Sequence, residues 1–407
     1  MRLVSPVAQA VILVALAAAC GHAQDAIYQS NEARTGEVEK LDLHEQPQVI
    51  WKFVPEPANG QTPDLGGVLA AGGRVFFSDR SGRIYAARAE DGRLLWMKQV
   101  DEGRSEAPLV MGDIAYFATS NQVLALSAID GKPVWEFDLP HGANETSPLM
   151  IENRLLVCGY DGVVHALDAQ AGTEEWTRDV VFDAPPSPPG FDGQRARLGD
   201  KPARPKIAAS DGKTLFQPIF DQSRVVALDC RTGEDRWSFR TAGWISATPV
   251  VAENLVYFGS QDKKLYCLDA GTGKVVWSFN TGGRVSAGAA VHDGAVYIGS
   301  SDGHLYRLDA KTGKKAWSFE CDRYAGGGAC PIYDSPLVTD DTVYLDGMEG
   351  QIYALATADG RLRWKLRPTP EAEIDGNLAT DGQRLYFTTR HNRNGAGEQA
   401  VFAIGKK

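Results

Sequence analysis

One short phrase returns down this chain seven times, and a split eighth copy joins its two ends. It is clearest at residues 265–277, LYCLDAGTGKVVW, and 305–317, LYRLDAKTGKKAW. Weaker copies end at Trp96, Trp135, Trp176, Trp237 and Trp364. Trp51 stands in QVIWKF near the start, and the half-phrase AVFAI that would precede it lies at 400–404. A period of roughly 40 residues with four strand-like runs per unit marks a ring of four-stranded blades. The sequence therefore predicts an all-β, eight-bladed β-propeller whose eighth blade is a composite. Its C-terminal strand at 400–404 is expected to pair with the N-terminal strand at 48–53, which leaves the ring without an open edge.

Residues 245–279 give the pattern of one blade. ISATPVV reads as the inner strand, LVYFGS as the second, KLYCLDA as the third and VVWSF as the outer strand. The last turn is Gly-Thr-Gly here and Asp-Gly at 91–92, 130–131 and 359–360, chemistry that favours a tight hairpin. A tryptophan at one fixed place in each outer strand can be clamped by the next blade, burying about 150–250 Å² each time. Trp51, Trp96, Trp135, Trp176, Trp237, Trp277, Trp317 and Trp364 are therefore read as structural docking residues.

The phrase A-x-D-x-x-T-G-x-x-x-W resembles the tryptophan-docking motif of the PQQ-type, quinoprotein-like propeller family, over about residues 48–405. Cys267 and Arg307 depart from its first position. The resemblance implies the eight-bladed fold and leaves the activity open.

At 407 residues the chain exceeds a usual single domain, which a repeating ring explains. The formal net charge of −10 argues against a nucleic-acid partner, whose backbone asks for a basic face. Residues 1–23 read as a secretory signal, with Arg2 before the apolar run 11–19. Two cleavages compete: before Gln24, giving a soluble form, or before Cys20 in the lipobox-like Ala17-Ala18-Ala19-Cys20, giving a lipid anchor. Residues 24–46 form a polar linker and 47–407 the propeller. The expected location is the cell envelope, periplasmic or tethered to the outer membrane, with membrane contact only through that anchor and a monomeric ring. Export permits disulfides, and Cys321 and Cys330, flanking ECDRYAGGGACP, are the natural pair. Cys158, Cys230 and Cys267 read as small core residues. No CxxC or HExxH occurs, so zinc and c-type haem have no support.

Most tryptophan intervals are 39–41 residues, but Trp51–Trp96 spans 45, Trp176–Trp237 spans 61 and Trp317–Trp364 spans 47. Each extra length follows an outer strand and precedes an inner one, so all three decorate one face, where loops commonly carry binding. The longest, 181–206, joins APPSPPG to five basic residues ending at Lys206. The same connections feed the channel mouth. Aligning the blades places Asp64, Glu106, Glu145, Lys206, Ser246, Ser286, Asp334 and Asp375 around it. Five of these eight are acidic, so the mouth is a candidate for a cation or a basic partner group, against the plainer reading of a solvated rim. Trp244 stands outside the docking register near the same mouth, to stack on a ligand or pack beneath a flap. Arg323, Tyr324 and Tyr333 complete the candidates.

In size, signal, lipobox and blade count the chain resembles the BamB family, in which a propeller docks partners through loops on one face. That resemblance implies a non-enzymatic scaffold for envelope proteins, with no cofactor expected. The competing expectations are a PQQ-dependent oxidoreductase, with quinone and calcium at the ring centre, and a carbohydrate or small-molecule binder using Trp244. Against the first, the chain lacks the adjacent cysteines of the alcohol-oxidising quinoproteins.

Overall fold

The computed structural model describes residues 41–406 except 58–63, 101–106, 120, 140–146, 160, 181–207, 324–326, 348, 370, 392–394 and 396. Strand follows strand, with one 3-10 turn at Phe220–Gln222. Eight four-stranded antiparallel sheets form, seven from consecutive strands. Blade 1 comprises Leu69–Ala71, Arg74–Ser78, Arg83–Arg88 and Leu94–Gln99, from the channel outward. Blades 2 to 7 occupy 109–138, 149–179, 209–240, 250–280, 290–320 and 337–366. Blade 8 is the composite: Glu373–Thr380, Arg384–Arg390 and Val401–Gly405, with Gln48–Phe53 outermost. The two segments pair as expected, antiparallel with Gln48 opposite Gly405 and Phe53 opposite Val401.

Each docking tryptophan follows a one-residue bulge. In blade 5 Leu268 pairs with Val275 and Cys267 with Trp277, so Val276 is the extra residue. The bulge lets the outer strand expose Val275 and Val276 while turning the indole toward the next blade. There Trp277 Nε1 donates to Ala310 O at 2.9 Å, and Tyr257 Oη, whose ring centroid lies 5.9 Å from the indole's, donates to the same carbonyl at 3.2 Å. Trp51, Trp96, Trp135, Trp237 and Trp317 donate to the matching carbonyls of Ala89, Ala128, Ala169, Ala270 and Thr357. Trp176 Nε1 has no such partner.

The turn glycine of the next blade lies flat on each ring. A Cβ at Gly313 would fall 2.6 Å from Trp277 Cδ2, and Gly313 has φ +68°. Only glycine satisfies both the left-handed backbone and the close approach. Six other seams repeat the arrangement, Gly92 on Trp51 among them. The seam between blades 7 and 8 differs. Trp364 donates to Leu43 O at 2.5 Å, and Leu41 and Leu43 are buried with it. The segment before the first strand thus covers the last docking tryptophan. Hydrophobic clusters straddle neighbouring blades: Val250, Tyr257 and Cys267 pack with Val285, Val296 and Leu308.

Inner strands are shorter than the sequence suggests. In blade 5 the ladder covers only Val250–Ala252, because 245–249 run along the mouth before pairing begins. The expected disulfide is also absent. Cys321 and Cys330 lie as thiols in one buried cluster with Ile332 and Leu345, where each packs as a small apolar group. Burial, and then the neighbouring Cys330, push the Cys321 thiol well above its ordinary range. Cys158, Cys230 and Cys267 are buried at strands or strand ends, as expected.

Candidate functional site

The channel mouth is built where inner strands begin and second strands end. A backbone hydrogen bond fixes this join: Gln261 N–H donates to Trp244 O at 2.8 Å in blade 5, Ser301 to Arg284 at 2.9 Å in blade 6, and Arg80 to Asp64 at 3.0 Å in blade 1. Asp64 therefore stands at the level of Trp244 and Arg284, two residues before the level of Ser246 and Ser286 at which the sequence alignment places it. Its carboxylate pairs with Arg80 Nε at 2.7 Å. Next to it Asp79, fully buried, is neutralised within its own turn. It takes Arg83 Nε at 2.8 Å, Ser81 Oγ at 2.6 Å and Tyr85 Oη at 2.8 Å.

Trp244 is half-buried with its ring centroid 4.9 Å from that of Phe220 in the 3-10 turn. The Phe220 ring covers one side of the indole, while the flap at 181–206 lies outside the described residues. Trp244→Ala is expected to fold and to lose less thermal stability than Trp277→Ala, because it lies outside the docking register, against the Phe220 ring of the neighbouring blade; equal losses in paired melting curves would contradict this division. Arg323 lies out in solvent against Glu320, at 2.7 Å. Asp322 beside it is held below the usual carboxylate range, chiefly by Lys365 at 2.5 Å.

Asp334 and Asp375 both act on the carboxyl of a residue that sequence reasoning passed over. Asp346 closes the second strand of blade 7, Thr342–Gly347, and is 4% exposed. Burial first, then the carboxyls of Asp334 and Asp375, raise it far above the ordinary carboxylate range. Asp375 is also bound to Arg390 Nη1 at 3.2 Å, and Glu373 takes the same guanidinium at 3.1 Å. A signal existed: lining up VYFGS, VYIGS and VYLDG sets Asp346 against Gly259 and Gly299. Glu106, Glu145, Lys206 and Tyr324 lie outside the described residues, as does Cys20.

Among the described residues no three His, Cys, Asp or Glu side chains come together so as to hold a metal ion.

The family model described as outer membrane protein assembly factor BamB matches residues 34–125, 110–200, 192–318 and 261–394. The protein of that name from Yersinia pestis is 25% identical over 214 residues, 50% of this chain and 52% of its own length. The chain thus spans about half the length of the curated relatives it matches. A 1-butanol dehydrogenase (cytochrome c) from Thauera butanivorans is 33% identical over 109 residues, 26% of this chain and 14% of its own. Among solved structures, BamB from Moraxella catarrhalis superposes with a TM-score of 0.66 at 19% identity, covering 88% of this chain and 100% of that one. A likeness at that identity speaks for the fold.

Proposed function

Because the chain belongs to the family of the outer membrane protein assembly factor BamB, we propose that it acts as an exported, non-enzymatic scaffold that holds envelope proteins through one face of its ring. The observation that carries this reading is the family match itself, which runs through 34–394 without favouring any single blade. A second support is where the chain varies. Its three long connections each follow an outer strand and precede an inner one in sequence, while the tryptophan seams repeat almost unchanged. A rigid ring with variable loops suits recognition. The relatives' name directs the reading to outer-membrane protein assembly, and the lipobox-like segment ending at Cys20 would tether the ring near that membrane.

The test is crosslinking in the native cells, followed by purification and mass spectrometry of both the captured proteins and the N-terminal peptide. Capture of outer-membrane assembly proteins together with a diacylated Cys20 is the expected result. A mature N-terminus at Gln24 with no protein captured would overturn it.

One observation favours a second reading, a quinone-dependent oxidoreductase: the stretch of 109 residues shared at 33% identity with the butanol dehydrogenase. Titrating the purified protein with pyrroloquinoline quinone and calcium separates the two. A bound chromophore would support the oxidoreductase, and an unchanged absorbance spectrum would remove it.

A further inference from the structure

The position that Asp346 occupies takes a small or compact residue in every other blade. Pairing to the inner strands aligns it with Ser78, Ala118, Cys158, Pro218, Gly259, Gly299 and Thr388. The reason is steric. This position meets the chain arriving from the next blade: a Cβ on Gly259 would lie 2.3 Å from Val285 Cγ1, and one on Gly299 would lie 2.3 Å from Ile332 Cγ2. Blade 7 puts a carboxyl there instead, facing the first residues of the closing blade. That seam is tight. Ala372 is clasped between Gly350 and Gly397, whose Cβ atoms would stand 2.2 Å from its carbonyl oxygen and 2.6 Å from its Cα.

Asp346 Oδ1 is buried with no hydrogen-bond partner. The groups facing the carboxyl are nearly all acidic. Asp334 comes from the segment before the inner strand of blade 7, within hydrogen-bonding reach, and Asp375 from the inner strand of blade 8. Cys321 feels its charge from the link between blades 6 and 7. The nearby cation, Arg390, is already engaged by Asp375 and Glu373. Asp79, one position further along in blade 1, is buried too, but Arg83 neutralises it. Among the described residues an ionised Asp346 would have no such counter-charge, and leaving a carboxylate there costs far more than holding it neutral.

We propose that Asp334 and Asp346 hold one proton between them, and that this proton latches the mouth of blade 7 where it faces Asp375 of the closing blade. This is a property of the ring itself and does not depend on which partner the ring holds. The folded ring binds the proton more tightly than an unfolded chain does. The latch therefore contributes fully below the ordinary aspartate value of 3.8, and it weakens as pH rises above that until the folded pair releases its proton. Over that window the unfolding constant rises about tenfold per pH unit on this account alone. The paired surface aspartates act oppositely: Asp229, held at about 2 by Arg236 first, loses its contribution only in strong acid.

Asp346→Asn isolates the latch, because a neutral amide occupies the same space and can donate to Asp334. Urea unfolding of the full chain is measured for both proteins from pH 4 to pH 8. The expected difference curve has the wild type falling behind the variant by about tenfold in unfolding constant per pH unit over part of that range. A flat difference curve overturns the proposal. Should Asp346→Asn not fold, infrared spectroscopy of the wild type decides. A neutral carboxylic acid band at pH 5, above the ordinary aspartate range, that shifts in Asp334→Asn is expected, and an absent or unshifted band overturns the shared proton.

Discussion

Trp277→Ala is expected to lower the stability of the ring by about 3 kcal/mol, the low end of the range for truncating a large buried aromatic, because the indole is partly buried. The loss has two sources. The indole is gone from the cluster that joins blades 5 and 6, and the space it leaves is walled by the fixed turn at Gly313. Ala310 O also keeps only Tyr257 Oη as a donor. Gly313→Ala attacks the same contact from the other side. It adds roughly 1 kcal/mol for an alanine in a left-handed backbone and about 1–3 kcal/mol for driving a methyl into the ring. The two changes must therefore be non-additive. With Trp277 already alanine, the methyl meets empty space, and only the backbone cost of Gly313→Ala remains. A urea-unfolding double-mutant cycle reads this directly, with a coupling of about 1–3 kcal/mol expected. Strict additivity would mean that glycine and tryptophan do not clamp one another.

That contact shows what a sequence of this kind exposes and what it conceals. The blade count, the composite closure and the eight docking tryptophans are legible because a repeat reports its own register. Seven glycines at the foot of those tryptophans are legible as turn residues, but their second task is not, since the ring they press on belongs to another blade. The mouth is harder to read because its loops differ in length. Counting from the tryptophans places Asp64 level with Ser246, whereas the backbone bond from Arg80 places it level with Trp244. Asp334 and Asp375 are visible as acidic mouth residues. Their common neighbour Asp346 hides inside a strand, where VYLDG looks like one more apolar run. The cysteine pair misleads for a related reason: spacing suggests a bridge, but both thiols are sealed among apolar side chains.

Proline at Ala403 is expected to be the most damaging single change in the closing blade. Ala403 is fully buried in the middle of the composite sheet, opposite Trp51 on one side and Tyr386 on the other. Whichever neighbour its N–H serves, proline removes that bond, strands a buried acceptor and sets a ring where the ladder needs room. The cost should reach about 3 kcal/mol or more. Position in the sheet decides this, not proline itself. Pro133 opens the outer edge strand of blade 2, Pro133–Asp138, and Pro218 lies in blade 4 beyond the two residues that pair with its inner strand. Neither interrupts a ladder on both sides. At Ala403 the consequence extends past the sheet, because among the described strands Gln48–Phe53 pairs only with Val401–Gly405, and it carries Trp51 onto Gly92 of blade 1. The residues just before it carry Leu43 onto Trp364 of blade 7. Detaching one strand therefore uncovers both neighbouring seams at once. Limited proteolysis should release the first strand of Ala403→Pro under conditions in which the wild type resists, and the urea midpoint should fall by more than for Trp277→Ala. Unchanged protection at 48–53 would mean that the N-terminal segment stays in place through Leu41, Leu43 and Trp364 alone, and that strand pairing is not what closes the ring.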